Sequence, residues 1–281
     1  MTQQSPQSPP SPIPRYGVHS QAAAAGAPEE AAESLRLVGY AVLDSGVRGR
    51  ALDMLRSRFD QVRERVAREF GLERLREIDE QHTLRCLLSY DPAFLELACN
   101  PPVLAVCRNL IGPGFVLNQQ NGVVNPGQGE KYSQGAYHRD LPYQHFVSSR
   151  PLGINALFCL DDFTEENGAT LVIPASHKLE NLPPDAVIRA TEQRIVAPAG
   201  SFLLLDAMTY HRGSANLTAL ARRAVNHVYS IGLVRQQIDL PACLGEDFSA
   251  DPEVRRLLGY DYPSSGSVAE YYAARRAKLR K

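Results

Sequence analysis

At Phe115 the chain exchanges helical periodicity for short β-rich runs, and this change of pattern limits its architecture more than any other feature. FVLNQQNGVVN, LGINALFCLDDF, ATLVIPA, GSFLLLDAM and RAVNHVYSIGLV follow, rich in aliphatic and aromatic residues and separated by Pro, Gly and Asn turns. Upstream, Leu52, Leu55, Phe59, Val62, Val66 and Phe70 recur every three or four residues and predict an amphipathic helix. A second helix is expected around Phe94 to Leu110, stopped by GPG, and a short strand over Leu37 to Asp44. Helices first and strands afterwards predicts helices packed on one side of an antiparallel sheet system. Periodicity alone does not separate one β-sandwich from another.

The ends differ from this body. Residues 1–33 begin QQSPQSPPSPIP and continue through AAAAGAPEEAA, a composition expected to form a disordered tail because it buries too little apolar surface to offset ordering entropy. Residues 34–281 are read as one domain, long enough to bury a substantial core. From Gln236 to Lys281 the strand pattern is weak, so short helices over the sheets are expected, with the basic end as a solvated face.

Thirty basic and 31 acidic residues are well mixed and give a formal net charge of -1. That leaves no electrostatic footprint for nucleic acid or an anionic membrane, and no run approaches a membrane span. Cys86, Cys99, Cys107, Cys159 and Cys243 lack a C-x-x-C spacing and follow no hydrophobic leader. They are read as buried, reduced thiols of a cytoplasmic protein. Neither a G-x-S-x-G elbow nor a P-loop occurs, and Gly127 to Glu130 is too short and polar for a dinucleotide fingerprint.

The chemistry-bearing pattern is YHRD with a distant YHRGSAN. His138 and Asp140 stand two apart, so on an extended strand both side chains project from one face and can reach one ion. With His211 they supply two imidazoles and a carboxylate, a set that holds iron(II) on one side and leaves open positions. Zinc would favour a closed tetrahedral set and calcium more oxygen ligands. Arg222 lies 11 residues past His211 in a strand-like run. Its guanidinium suits a carboxylate beside a metal, while the adjacent Arg223 must face the other way. NGATLVIPASHK, Asn167 to Lys178, lies between the two halves.

H-x-D, an NG...PxSH segment and a distal His followed by Arg at this offset resemble the phytanoyl-CoA dioxygenase family of iron(II)- and 2-oxoglutarate-dependent oxygenases, from about Gly39 to Val234. The resemblance implies a mainly β fold with flanking helices: a double-stranded β-helix, a cupin-like jelly roll whose mouth holds the metal. It implies iron(II) on His138, Asp140 and His211, with 2-oxoglutarate and O2 in the open positions. Arg222 would anchor the distal carboxylate, with Thr218, Ser214, Gln119 and Asn121 as further co-substrate contacts. Asn216 is expected to form a turn, and Gln120 to face away from Gln119 and Asn121. One departure stands out: the family commonly has Gly then Ser after the distal His, whereas here Arg212 intervenes and Ser214 falls one place later.

The activity implied is hydroxylation, or another oxidation, of an unactivated C-H bond in a small metabolite, with release of succinate and CO2. The carboxylate of Asp140 occupies the position that related halogenases leave open for chloride. Competing readings are a non-catalytic metal-binding jelly roll, and a cupin-like enzyme using zinc or manganese without need of Arg222. Tyr137 and Tyr143 are expected to line the substrate side, with His145 as a further contact. His177 is expected to shape a turn, and His19, His82 and His227 to be structural or exposed. Oligomeric state is not legible.

Overall fold

The strand-like runs form the body of two antiparallel sheets in the computed structural model, which describes residues 13–128, 130, 132–141 and 147–279. The strands are β1 (Tyr40–Asp44), β2 (Thr83–Arg85), β3 (Phe115–Asn125), β4 (Gly153–Cys159), β5 (Thr170–Val172), β6 (Gln193–Ile195), β7 (Ser201–Asp206), β8 (His211–Gly213) and β9 (Arg222–Ile231). Six make a large sheet in the order β1-β7-β4-β9-β3-β2, and β6-β5-β8 make a small one. Val172 and Ile195 of the small sheet pack against Leu203 and Leu205 of the large one, so the two face each other. This is the expected double-stranded β-helix. Strands β2, β6 and β8 are too short to show a period in sequence.

Helices cover the outer face of the large sheet. In α2 (Arg50–Phe70), Leu52, Leu55, Phe59, Val62 and Val66 are buried as the stripe predicts. Phe70 is 45% exposed, so the stripe ends a turn earlier than read. Short α3 (Leu72–Glu77) follows. The single helix expected over Phe94 to Leu110 is two, α4 (Ala93–Ala98) and α5 (Pro101–Leu110). Pro101 and Pro102 force the break: Asn100, before proline, is held out of the helical region at ψ 118°, and its side chain caps α5 by accepting from the Val103 amide.

The expected tail boundary needs correction. Helix α1 (Ala27–Val38) begins inside residues 1–33 and buries Ala31, Ala32 and Leu35. Pro28 in its first turn and the acidic Glu29 and Glu30 are ordinary helix-start signals, hidden in a run that reads as low complexity. Leu37 and Val38 accordingly belong to this helix, and β1 starts at Tyr40. Gly39, at φ 84°, turns the chain between them, where a Cβ would clash with Thr209 and His177.

Alternation along β9 directs Arg223, Val225, His227 and Tyr229 outward to the helices, and Arg222, Ala224, Asn226 and Val228 inward. Its neighbour β3 contains a bulge between Leu117 and Gln119. Before it Phe115 and Leu117 join the helix-side core; after it Gln119, Asn121, Val123 and Asn125 face inward, and Gln120 faces the helices. Asn118 at the bulge donates to the Val234 and Arg235 carbonyls and to Ser230.

The remaining helices are α6 (Asp185–Thr191), α7 (Leu240–Leu244), α8 (Pro252–Leu258) and α9 (Val268–Lys278). As expected, the C-terminal ones are short, and Leu240, Leu257 and Leu258 complete the core. Among the described residues no helix is long and apolar enough to cross a membrane.

Candidate metal centre

His138, Asp140 and His211 come together as predicted, each offering a ligand atom within 4.8 Å of the others. The H-x-D segment makes only one β-bridge rather than a full strand. His138 pairs with His211, and the Asp140 amide donates to the Ala207 carbonyl at 3.1 Å. Alternation nonetheless holds: Arg139 points the other way, stacks 3.9 Å from the centre of the Tyr210 ring, and donates to the Ser176 and Glu180 carbonyls. It pins the ligand segment to the PASH turn.

Both ligand imidazoles are oriented alike. His138 Nδ1 bonds the Ala136 carbonyl at 2.9 Å and His211 Nδ1 the Thr209 carbonyl at 2.9 Å, which leaves both Nε2 lone pairs free for a metal. Burial pushes the His211 pKa down against the opposing pull of Asp140, so the ring is the neutral form that ligates. Asp140 Oδ2 lies 3.7 Å from His211 Nε2 and accepts from the Asn155 side chain. Asn155 was not anticipated. Its signal was a lone polar residue inside the apolar run LGINALF.

Arg222 is 2% exposed and faces inward from β9. Its guanidinium stacks 3.8 Å from the centre of the Phe163 ring, yet Nε and Nη1 have no hydrogen-bond partner among the described residues. A buried charge without an acceptor costs several kcal/mol, so this arrangement calls for an anion. Burial lowers the Arg222 pKa, and the nearby Tyr132 opposes that shift. Arg223 faces out and pairs with Asp60 at 2.6 Å and Asp161 at 2.8 Å.

The other expected co-substrate contacts each make hydrogen bonds within the protein. Ser214 donates its hydroxyl to the Ala169 carbonyl at 2.7 Å. Thr218 bonds Asn216 and the Leu220 carbonyl within its own loop, where Asn216 makes the expected turn. Gln119 and Asn121 share the inner face and bond each other at 2.8 Å, beside Gln237 near the β2 edge. Tyr137, expected to line the substrate side, bonds Glu192 and packs with Ile173 and Ile188.

Among the remaining histidines, His177 sits in the turn Ser176–Lys178 and reaches the Arg36 carbonyl, as expected. His82 is buried beside Glu130, His227 lies in the core, and His19 is exposed. Tyr143 and His145 lie outside the described residues. All five cysteines are unpaired, but Cys99 is only half-buried and Cys243 is exposed rather than buried.

Two imidazoles and a carboxylate this close together make a candidate mononuclear metal site that would leave open positions on the ion, and the donor set fits iron(II). The phytanoyl-CoA dioxygenase pattern matches residues 35–224. The chain therefore belongs to the phytanoyl-CoA dioxygenase family of iron(II)- and 2-oxoglutarate-dependent oxygenases. It is 30% identical over 250 residues to the uncharacterized protein Rv1501 of Mycobacterium tuberculosis, covering 87% of this chain and 91% of that one. It is 32% identical over 133 residues to the iron/alpha-ketoglutarate-dependent dioxygenase penM of Penicillium thymicola, 44% of this chain and 41% of the relative. The fold is shared with EctD from S. alaskensis, solved with 2-oxoglutarate and 5-hydroxyectoine: TM-score 0.60, 19% identity, 78% of this chain and 82% of that one.

Proposed function

We propose that this protein is an iron(II)- and 2-oxoglutarate-dependent dioxygenase that hydroxylates, or otherwise oxidises, an unactivated C-H bond of a small metabolite and releases succinate and CO2. The observation that carries this reading is the pairing of the His138, Asp140 and His211 cluster with a buried arginine whose Nε and Nη1 lack an acceptor. A zinc or manganese enzyme without a carboxylate co-substrate would leave Arg222 unexplained.

His138 and His211 hold the metal through Nε2 and Asp140 through a carboxylate oxygen, with Asn155 fixing that carboxylate. Arg222 binds the distal carboxylate of 2-oxoglutarate, its position set by β9 and the Phe163 ring. Iron with 2-oxoglutarate supplies the oxygen activation that side chains cannot. With Asp140 present the outcome is hydroxylation or desaturation rather than chlorination.

The substrate side is read as polar. Gln119, Asn121 and Asn226 face inward, and Asn226 Oδ1 has no hydrogen-bond partner among the described residues. An amide ladder of this kind suits a small metabolite bearing hydroxyl or amine groups. Five unpaired thiols fit a reducing, cytoplasmic setting.

The test is to supply iron(II) and 2-oxoglutarate under air and measure succinate, alone and with candidate metabolites. Succinate formation that requires both additions and rises with a turned-over substrate supports the reading. Iron binding without 2-oxoglutarate binding would defeat it.

A further inference from the structure

The tripeptide Tyr-His-Arg occurs at 137–139 and again at 210–212, and each copy carries one of the two imidazole ligands. The bridge between His138 and His211 is antiparallel, so pairing the histidines sets Tyr137 opposite Arg212 and Arg139 opposite Tyr210. Alternation turns these four side chains away from the metal. There each arginine meets the tyrosine of the other copy. The guanidinium carbon of Arg139 lies 3.9 Å from the centre of the Tyr210 ring, and that of Arg212 lies 5.1 Å from the centre of the Tyr137 ring. A cation-π contact thus flanks the histidine pair on either side.

The two halves are anchored differently. Arg139 donates to the Ser176 and Glu180 carbonyls and the Tyr210 hydroxyl to the Glu180 carbonyl, so that half is tied to backbone. The other half ends on a single carboxylate: Oε2 of Glu192 accepts from the Tyr137 hydroxyl at 2.5 Å and from Nη2 of Arg212 at 3.3 Å. Glu192 directly follows α6, its amide bonded to the Ile188 carbonyl, and Ile188 packs with Tyr137 and Tyr210. Two backbone hydrogen bonds hold the histidines side by side, but one bridge alone is a pivot about which the two segments can twist. On the Asp140 side the bond to Ala207 resists that twist. On the Tyr137 side the tie is made through Arg212 and Glu192.

We infer that Glu192 is a positioning residue of the metal centre: by holding Tyr137 and Arg212 together across the histidine pair, it fixes the angle at which the two imidazoles present Nε2 to one ion. This rests on the proposed function and adds to it a route by which α6, a helix outside the ligand triad, sets metal affinity.

The test titrates cobalt(II), a coloured stand-in for iron(II), into the metal-free full chain, reading affinity by calorimetry and ligand geometry from the visible absorption bands of the bound ion. Glu192→Ala should weaken cobalt binding by about tenfold and shift the bands, as expected when a group that orients ligands is lost. Glu192→Gln keeps an oxygen that accepts from the same two donors and should stay within about twofold of the unchanged protein. Tyr137→Phe removes one donor but keeps the ring, so it should act in the same direction more weakly; if Glu192→Ala does not fold, this variant decides on the same readouts. Arg223→Ala, on the opposite face of β9, controls for lost stability and should leave affinity and spectrum unchanged. A Glu192→Ala protein that loses thermal stability but binds cobalt with unchanged affinity and spectrum would overturn the inference. If the unchanged protein binds neither cobalt nor iron, it is the proposed function that fails.

Discussion

His138 and His211 exchange both backbone hydrogen bonds: the amide of each donates to the carbonyl of the other, at 3.0 and 3.1 Å. They form a hydrogen-bonded antiparallel pair, which sets the backbones side by side and brings the ring centroids to 4.4 Å. The distance between the two imidazole ligands is thus a property of sheet register. It does not depend on a metal to draw them together.

His138→Ala, Asp140→Ala and His211→Ala should each abolish iron-dependent 2-oxoglutarate turnover while leaving the far-UV circular dichroism unchanged, because the pairing that places them is made by backbone. Asn155→Ala should be milder, weakening iron binding by about 10- to 100-fold through loss of the bond that orients Asp140. Near-normal turnover in any one ligand variant with iron bound would refute the triad.

Arg222→Ala and Arg223→Ala should separate cleanly. The first should raise the 2-oxoglutarate requirement by about tenfold or more with little change in folding stability. The second removes the ties from β9 to Asp60 of α2 and to Asp161, and should lower stability by about 1 to 2 kcal/mol with the co-substrate requirement unchanged. Titrations and denaturant melts on both proteins check the ranking; a reversal means the wrong arginine was chosen.

Leu35 tests the start of the domain. It is fully buried on α1, so Leu35→Ala should cost about 2 to 5 kcal/mol in chemical denaturation. A loss below about 0.5 kcal/mol, typical of a surface site, would show that α1 does not belong to the core.

His227 gives a pH prediction. Its Nδ1 bonds the Ala156 carbonyl, its Nε2 faces Gln120, and burial pushes its pKa down to about 4 from 6.5. Between those values the unfolded chain binds the extra proton, so stability is full above about pH 6.5 and falls as the pH drops toward 4. His82, His177 and His211, also lowered chiefly by burial, act with the same sign. His227→Gln should be less stable at neutral pH yet show a shallower acid limb. Parallel limbs for the two proteins would mean that His227 does not titrate as described.

What could be read from residues alone followed the strength of the local signal. Strand β3 and the stripe of α2 carry eleven and twenty-one residues of pattern, and both were legible. Strand β8, with three residues, has no period to detect, yet it holds His211. The ligand triad was visible because H-x-D and the distal His are chemically unusual, and Arg222 because its offset matched a family pattern. The Ser214 and Thr218 hydroxyls look available in sequence and are consumed by neighbouring carbonyls and Asn216 once the loop is folded.

The irregularity after Leu117 acts as a phase shift. A strand that kept strict alternation could give its odd-numbered residues to only one side, and Phe115 and Leu117 already commit those to the helices. One surplus residue resets the count, so a single strand first supplies grease to one side and then presents amides to the other. Were Asn118 instead taken up as a regular residue of the strand, Gln119 and Asn121 would turn away from the mouth and Gln120 would swing into it. The polarity of the reaction chamber is therefore stored less in which residues β3 contains than in where its rhythm breaks.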